Sequence, residues 1–183
     1  MNAKTLHSRG RRRRAPTVGA ASSATVAAQS PAPAGSVLRW GRLESIVGFH
    51  IARATVVTTE NYERHIGQAL GLRKVECSLL MLLHANGALA PKPLARALSV
   101  SAPNLTLLLD RLQERGLLVR TPNPQDGRSQ HVSLSAKGLQ LAQRAADASV
   151  PMEAELLGRL SNAEHAMLIE LLLKLSSPSS GRC

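Results

Sequence analysis

Apolar positions between Leu38 and about Leu70 step by four and three. Leu43, Val47, His50, Ala54 and Val57 draw one helical stripe with His50 inside it, and Phe49, Arg53 and Val56 draw a second beside it. Gly71 supplies a C-terminal stop. A second helix is predicted from about Lys74 to Asn86, with Val75, Leu79, Leu82 and Leu83 on one side and Gly87 past its end. A third, short helix opens at Pro91, whose fixed φ suits a first helical position, and runs through Leu94, Ala95 and Leu98. Ser101 is an N-cap for a fourth helix from Ala102 to Arg115, stopped by Gly116. Its Leu105, Leu108, Leu109 and Leu112 recur at three and four, a ridge that must pack on something. Leu117 to Thr121 and His131 to Leu134 are strand-like runs around Pro-Asn-Pro-Gln-Asp-Gly, which predicts a β-hairpin. Ser135 caps a long helix that Pro151 is expected to kink or break. Ser161 and Glu164 form a capping box for a last helix carrying Met167, Leu168, Leu171, Leu172 and Leu175.

Composition narrows the class. Of 183 residues 44% are apolar, enough for a core, but only 2% are aromatic (Trp40, Phe49, Tyr62), so the core is aliphatic and favours helices. A basic excess of 23 Lys+Arg over 12 Asp+Glu, net +11, points to an anionic partner, either nucleic acid or a charged membrane surface. Residues 1–36 hold six of the basic residues and no acid, then run on in Ala, Pro, Ser and Gly. Such a stretch lacks the large apolar side chains that offset ordering, and it is expected to be a disordered arm able to hold phosphates without reading sequence. Thr17 to Ala28 is too polar for a secretory h-region, and no run reaches the ~18 apolar residues of a membrane span. Two cysteines, Cys77 and Cys183, build no disulfide framework and fit a reducing compartment.

The order helix, turn, helix, hairpin between residues 74 and 134 is that of a winged helix-turn-helix. A helix entering a major groove shows polar or small side chains outward and buries an apolar ridge. The fourth helix does so, with Ala102, Pro103, Asn104, Thr106, Asp110 and Arg111 outward. An ordinary amphipathic helix would explain the leucines equally well; the following hairpin with its basic tip favours DNA.

Residues 70–145 resemble the MarR family of bacterial transcription regulators. The matching segments are Leu94-Ala-Arg-Ala-Leu-Ser-Val-Ser101, Leu105-Thr-Leu-Leu-Leu-Asp-Arg-Leu112, Glu114-Arg-Gly-Leu-Leu-Val-Arg120, Pro124-Gln-Asp-Gly-Arg128 and Val132-Ser-Leu-Ser-Ala-Lys-Gly138, in family order and spacing. The resemblance implies a mainly α fold with a small β-wing: a DNA-binding region over 73–135 flanked by dimerisation helices over 37–72 and 136–177, with disordered ends at 1–36 and 178–183. It implies a homodimer whose two lobes sit on a pseudo-palindromic double-stranded operator. Ser101, Ala102, Pro103, Asn104, Thr106 and Arg111 then belong to the recognition helix, Arg120 meets phosphate at the wing base, Asp126 holds the wing, and Arg128 enters the minor groove. The chain departs from the family at Gly127, where a second basic wing residue is usual. It departs again at Arg73 and Lys74, cations that oppose the dipole of a helix start where Thr or Ser is common.

Family members often bind small aromatic carboxylates or phenolic compounds beside the dimerising helices. Here Arg53 and His50, with Trp40 near the mouth, are the candidate ligand residues. Six histidines show no zinc spacing, so no metal and no cofactor are expected. Cys77, near Arg73 and Lys74, is a candidate for a lowered thiol pKa or else an inert packed thiol. No Gly-rich phosphate loop, G-x-S-x-G or paired carboxylates support an enzyme. The expectation is a cytoplasmic, nucleoid-associated bacterial repressor released by an anionic aromatic ligand; the alternative is an architectural DNA-binding protein without sequence preference.

Overall fold

The first apolar stripe becomes a helix in pieces. A 3-10 turn, Gly41–Ser45, leads into α1 (Val47–Tyr62), a π-helical stretch (Glu63–Gly67) and the short α2 (Gln68–Leu70). Gly71 ends it at φ +62°, a left-handed conformation that glycine adopts without penalty. The computed structural model describes residues 38–123 and 126–177, the side chains of 123–129 excepted. The arm expected over 1–36, the end over 178–183 and Cys183 lie outside these residues. The chain divides into a unit ending at Trp40 and a unit beginning at Gly41. Of the first, Leu38 to Trp40 are described, with Trp40 half-buried.

In the second unit α3 (Lys74–Asn86), α4 (Pro91–Ala97) and α5 (Ala102–Glu114) precede an antiparallel hairpin, β1 (Leu118–Asn123) and β2 (Asp126–Leu134). The register pairs Leu118 with Leu134 and Arg120 with Val132. Leu89, between α3 and α4, exchanges two backbone hydrogen bonds with Val132 (2.9 and 2.8 Å), which ties the wing to the helices. The chain ends in α6 (Ala136–Leu157) and α7 (Asn162–Ser176). The fold is mainly helical with a small wing, as the sequence predicts.

The core gathers Tyr62 and Ile66 before α3, Cys77, Leu79, Leu80 and Leu83 from α3, Leu94 from α4, the ridge of α5, Leu117, Leu118 and Val132 from the wing, and Ala142 and Ala145 from α6. The α5 ridge is buried at Leu105, Leu108, Leu109 and Leu112, as predicted. The α3 face differs: Val75 and Leu82 are only half-buried, while Cys77 and Leu80 are buried. This helix packs on both α6 and the wing, so a single stripe understates what it covers.

Pro151 does not break α6, which runs through it. Proline removes the N–H that would reach the Asp147 carbonyl, a loss of one bond. The helix is held on both sides of the defect. Ala142 and Ala145 are buried upstream, and Asn61 Nδ2 donates to the neighbouring Met152 carbonyl at 2.8 Å.

Candidate DNA interface and ligand cleft

The start of α5 is built by its first residues. Ser101 Oγ accepts from the Asn104 N–H at 3.4 Å, and Pro103 occupies a first-turn position where a missing N–H costs nothing. Ala102, Pro103, Asn104, Thr106 and Arg111 are exposed, and Thr106 Oγ1 donates to the Ala102 carbonyl at 3.1 Å. Arg120 Nη2, at the base of the wing, lies 2.5 Å from Asp110 Oδ1, so this pair locks β1 to α5. The predicted wing residues Asp126 and Arg128 have side chains outside the described residues.

The far end of α5 is held by a group the sequence reading missed. Glu76 is buried, its side chain 3% exposed, and its carboxylate faces Arg111 at 3.5 Å and Arg115 at 3.3 Å, side chains that stay 45% and 36% exposed. It also accepts from the Arg73 N–H at 3.0 Å. This is half a capping box, since an arginine has no acceptor to return the bond. Helix α3 therefore starts at Lys74 despite its cations, because Glu76 in the first turn offsets them. Arg111, expected at DNA, is at the same time an anchor of α5.

A cleft of about 460 Å³ opens between α1, α3 and α6. Thr58 and Tyr62 line it from α1, Lys74, Cys77 and Met81 from α3, and Met152 from α6. Lys74 Nζ lies 6.0 Å from the centre of the Tyr62 ring and hydrogen-bonds Thr59 Oγ1. Tyr62 donates its hydroxyl to the Leu72 carbonyl at 2.9 Å, and burial pushes its pKa up, so the phenol stays neutral. At the edge of α6, Glu155 accepts from Arg64 (2.7 Å) and pairs with His65 (2.9 Å); the bonds from His65 and then Arg64 hold its carboxyl below the usual range.

Of the two readings of Cys77, the structure fits the packed thiol. Its thiol is buried, 3.8 Å from Met81 Sδ, and burial pushes its pKa up rather than down; Arg73 and Lys74, both exposed, do not offset this. In a Cys183→Ser background, Cys77 is expected to react with Ellman's reagent at neutral pH only after urea unfolding. Stoichiometric labelling of the folded chain would contradict a packed, inert thiol.

The residues expected to hold a ligand stand apart from this cleft. His50 and Arg53 are exposed on α1, more than one turn before Thr58. His50 Nε2 carries a proton to the Glu44 carbonyl at 2.8 Å, and its ring meets Phe49 edge-on at 5.5 Å. Arg53 lies 5.9 Å from the centre of the Phe49 ring. Trp40 belongs to the other unit. Among the described residues no group of His, Cys, Asp and Glu could hold a metal ion, and no helix is long and apolar enough to cross a membrane.

Residues 72–130 match the MarR family. A protein of Thauera aromatica assigned to transcriptional regulation of the hcr operon is 28% identical over 135 residues, 74% of this chain and 81% of that one. A helix-turn-helix transcriptional repressor of Mycobacterium tuberculosis is 32% identical over 108 residues, 59% of this chain and 78% of that one. Among solved structures, the transcriptional repressor CouR bound to a 23-mer DNA duplex superposes with a TM-score of 0.71 at 29% identity, covering 78% of this chain and all of that one. CouR bound to p-coumaroyl-CoA superposes with a TM-score of 0.66 at 27% identity, covering 76% of this chain and 98% of that one. The two sequence relatives are named as transcriptional regulators, and both CouR structures share this chain's fold. The chain belongs to the MarR family of winged-helix, DNA-binding transcriptional regulators.

Proposed function

We propose that the chain is a homodimeric, sequence-specific repressor released from its operator by a small anionic aromatic ligand bound between α1, α3 and α6. One observation carries the reading: the first turn of α3 faces two ways. Lys74 and Cys77 line the cleft, and Glu76 between them holds Arg111 and Arg115 of the recognition helix. A ligand that shifts this turn shifts α5 with it. Such a ligand acts only if it prefers one arrangement of the two lobes, since equal affinity for both shifts nothing.

The ligand class rests on the lining. Tyr62, Met81 and Met152 offer an apolar and aromatic bed, and Lys74 offers a cation for a carboxylate, the role the sequence reading gave to Arg53. The CouR complex with p-coumaroyl-CoA supports an aromatic acyl compound. On the DNA side, Ser101, Ala102, Pro103, Asn104 and Thr106 approach bases in the major groove, with Arg111 at the edge. Arg120 serves phosphate from the wing base while paired to Asp110, and Asp126 orders a tip from which Arg128 enters a narrowed minor groove. The exposed apolar residues of α1 and α7 support the homodimer, and its two-fold axis calls for a pseudo-palindromic operator. Only the basic arm, outside the described residues, favours the architectural alternative.

The test is a thermal-shift screen of benzoate, salicylate and cinnamate-type acids with their CoA thioesters, followed by release of an operator duplex. A hit at about a hundred times its Kd stabilises by ~2.7 kcal/mol, roughly 5–10 °C for a chain of this size, and releases the duplex. Lys74→Met is expected to abolish both effects. Equal shifts in wild type and Lys74→Met would remove Lys74 as the anion partner, and ligands that shift melting without releasing duplex would overturn control through this cleft.

A further inference from the structure

Helix α5 carries five leucines, and four of them are the buried ridge. The fifth, Leu107, is 62% exposed. At 100° per residue it falls opposite the ridge, at the centre of the outward face, with Pro103 one turn before it. Leu107 borders a shallow hollow of about 220 Å³ with Val100, Asn104 and Arg111. An exposed leucine at the middle of a face turned to DNA has no hydrogen bond to give a base edge. The apolar group that a major groove presents is the C5-methyl of thymine.

The neighbours make the same choice. Pro103 is apolar and exposed, and Thr106 returns its hydroxyl to the Ala102 carbonyl rather than offering it outward. One turn further on, Asp110 is occupied by Arg120. An anionic duplex suits the surroundings, since Lys92, Arg96 and Arg111 are all exposed on α4 and α5.

We infer that Leu107, with Pro103 beside it, is a specificity-determining residue that reads a thymine methyl group in each half of the operator. This rests on α5 being the recognition helix of the proposed function.

The experiment starts by selecting duplexes from a random pool with the full-length chain. The selected duplex is then remade with deoxyuridine at each thymidine in turn, which removes one methyl group and nothing else. At one position per half-site, wild type is expected to lose about fourfold in affinity, the equivalent of ~0.8 kcal/mol for one buried carbon. Leu107→Ala is expected to bind the thymine duplex about fourfold or more weakly and to become indifferent to deoxyuridine at that position. Its melting temperature and salt slope should be those of wild type, because an exposed neutral side chain contacts no phosphate. The non-additivity of the two changes is the reading that a merely structural role would not produce. Wild type indifferent to deoxyuridine everywhere, or a penalty that survives in Leu107→Ala, overturns the inference while sequence-specific binding stands. A pool from which no sequence emerges overturns the proposed specificity, and this inference with it.

Discussion

Replacing Leu168 and Leu172 together by Glu is expected to yield a folded monomer with about 10²–10⁴-fold less affinity for a two-half-site duplex. These residues are one helical turn apart on α7, a helix that buries none of its residues in the single chain. Met167, Leu168, Ile169, Leu171, Leu172, Leu173 and Leu175 are between 40% and 64% exposed, and Val47, Ile51, Val56 and Val57 of α1 add to them. A soluble helix does not hold seven such residues open to water unless something covers them. Covering them with the same surface of a second copy regains a share of the ~1.5–3 kcal/mol that each side chain gains on full burial, on the order of 10 kcal/mol over both copies. Two carboxylates per copy in that dry seam would need partners that an apolar helix does not offer. The winged lobe should survive, because its core runs from Tyr62 to Ala145 and takes nothing from α7. Sedimentation equilibrium at micromolar concentration measures the mass, and urea unfolding monitored by circular dichroism checks the lobe. A wild type that sediments as a monomer, or a double variant that keeps both its mass and its duplex affinity, would remove α7 from the interface. The affinity falls because each lobe alone must bind as a separate molecule instead of being delivered by its twin.

What the sequence made legible follows from range. Ser101 caps α5, Gly116 stops it, and the four-leucine ridge is buried, because caps, stops and periodicity act within a few residues. The fold class and the family were readable for the same reason. Glu76 was not, although its position three residues after Arg73 is a local signal; its importance depends on Arg111 and Arg115, brought to it by tertiary packing. The cleft between α1, α3 and α6 was hidden for a similar reason. The stripe through Val47, His50, Ala54 and Val57 is a true helical face, but it stays exposed, and the cleft opens at the next turns of the helix, where Tyr62 meets α3 and α6. Periodicity marks a face that needs covering without saying what covers it. Pro151 shows the converse, a strong local breaker overridden by contacts on either side. Leu107 was visible all along as the leucine off the ridge, and only its exposure gives it meaning.

Gly138→Ala is expected to destabilise the lobe by about 3 kcal/mol, against the usual rule that alanine improves a helix. Gly138 sits in the first turn of α6, where the chain leaves the wing. A β-carbon there would fall 2.0 Å from the Leu117 carbonyl oxygen and 3.0 Å from its carbon, both backbone atoms that cannot rotate away. The same carbonyl accepts from the Ser135 N–H at 3.0 Å, and Ser135 Oγ in turn accepts from the Gly138 N–H at 3.0 Å and donates to the Gly116 carbonyl at 2.6 Å. Moving α6 aside to admit a methyl group therefore strains the cap and the strand start together. Overpacking of this kind costs about 1–3 kcal/mol, and the disturbed cap and hydrogen bond add ~1 kcal/mol each. The higher helix propensity of alanine returns at most ~1 kcal/mol. Gly158 is the control: a β-carbon there meets only the Ala154 and Glu155 carbonyl oxygens at 3.6 Å, an ordinary contact, and its φ of −55° suits any residue. Gly158→Ala should therefore leave stability unchanged or raise it by ~0.5 kcal/mol. Urea midpoints of the two variants decide the matter. If Gly138→Ala unfolds at or above the wild-type midpoint, then α6 does not press on the wing base as closely as this geometry requires.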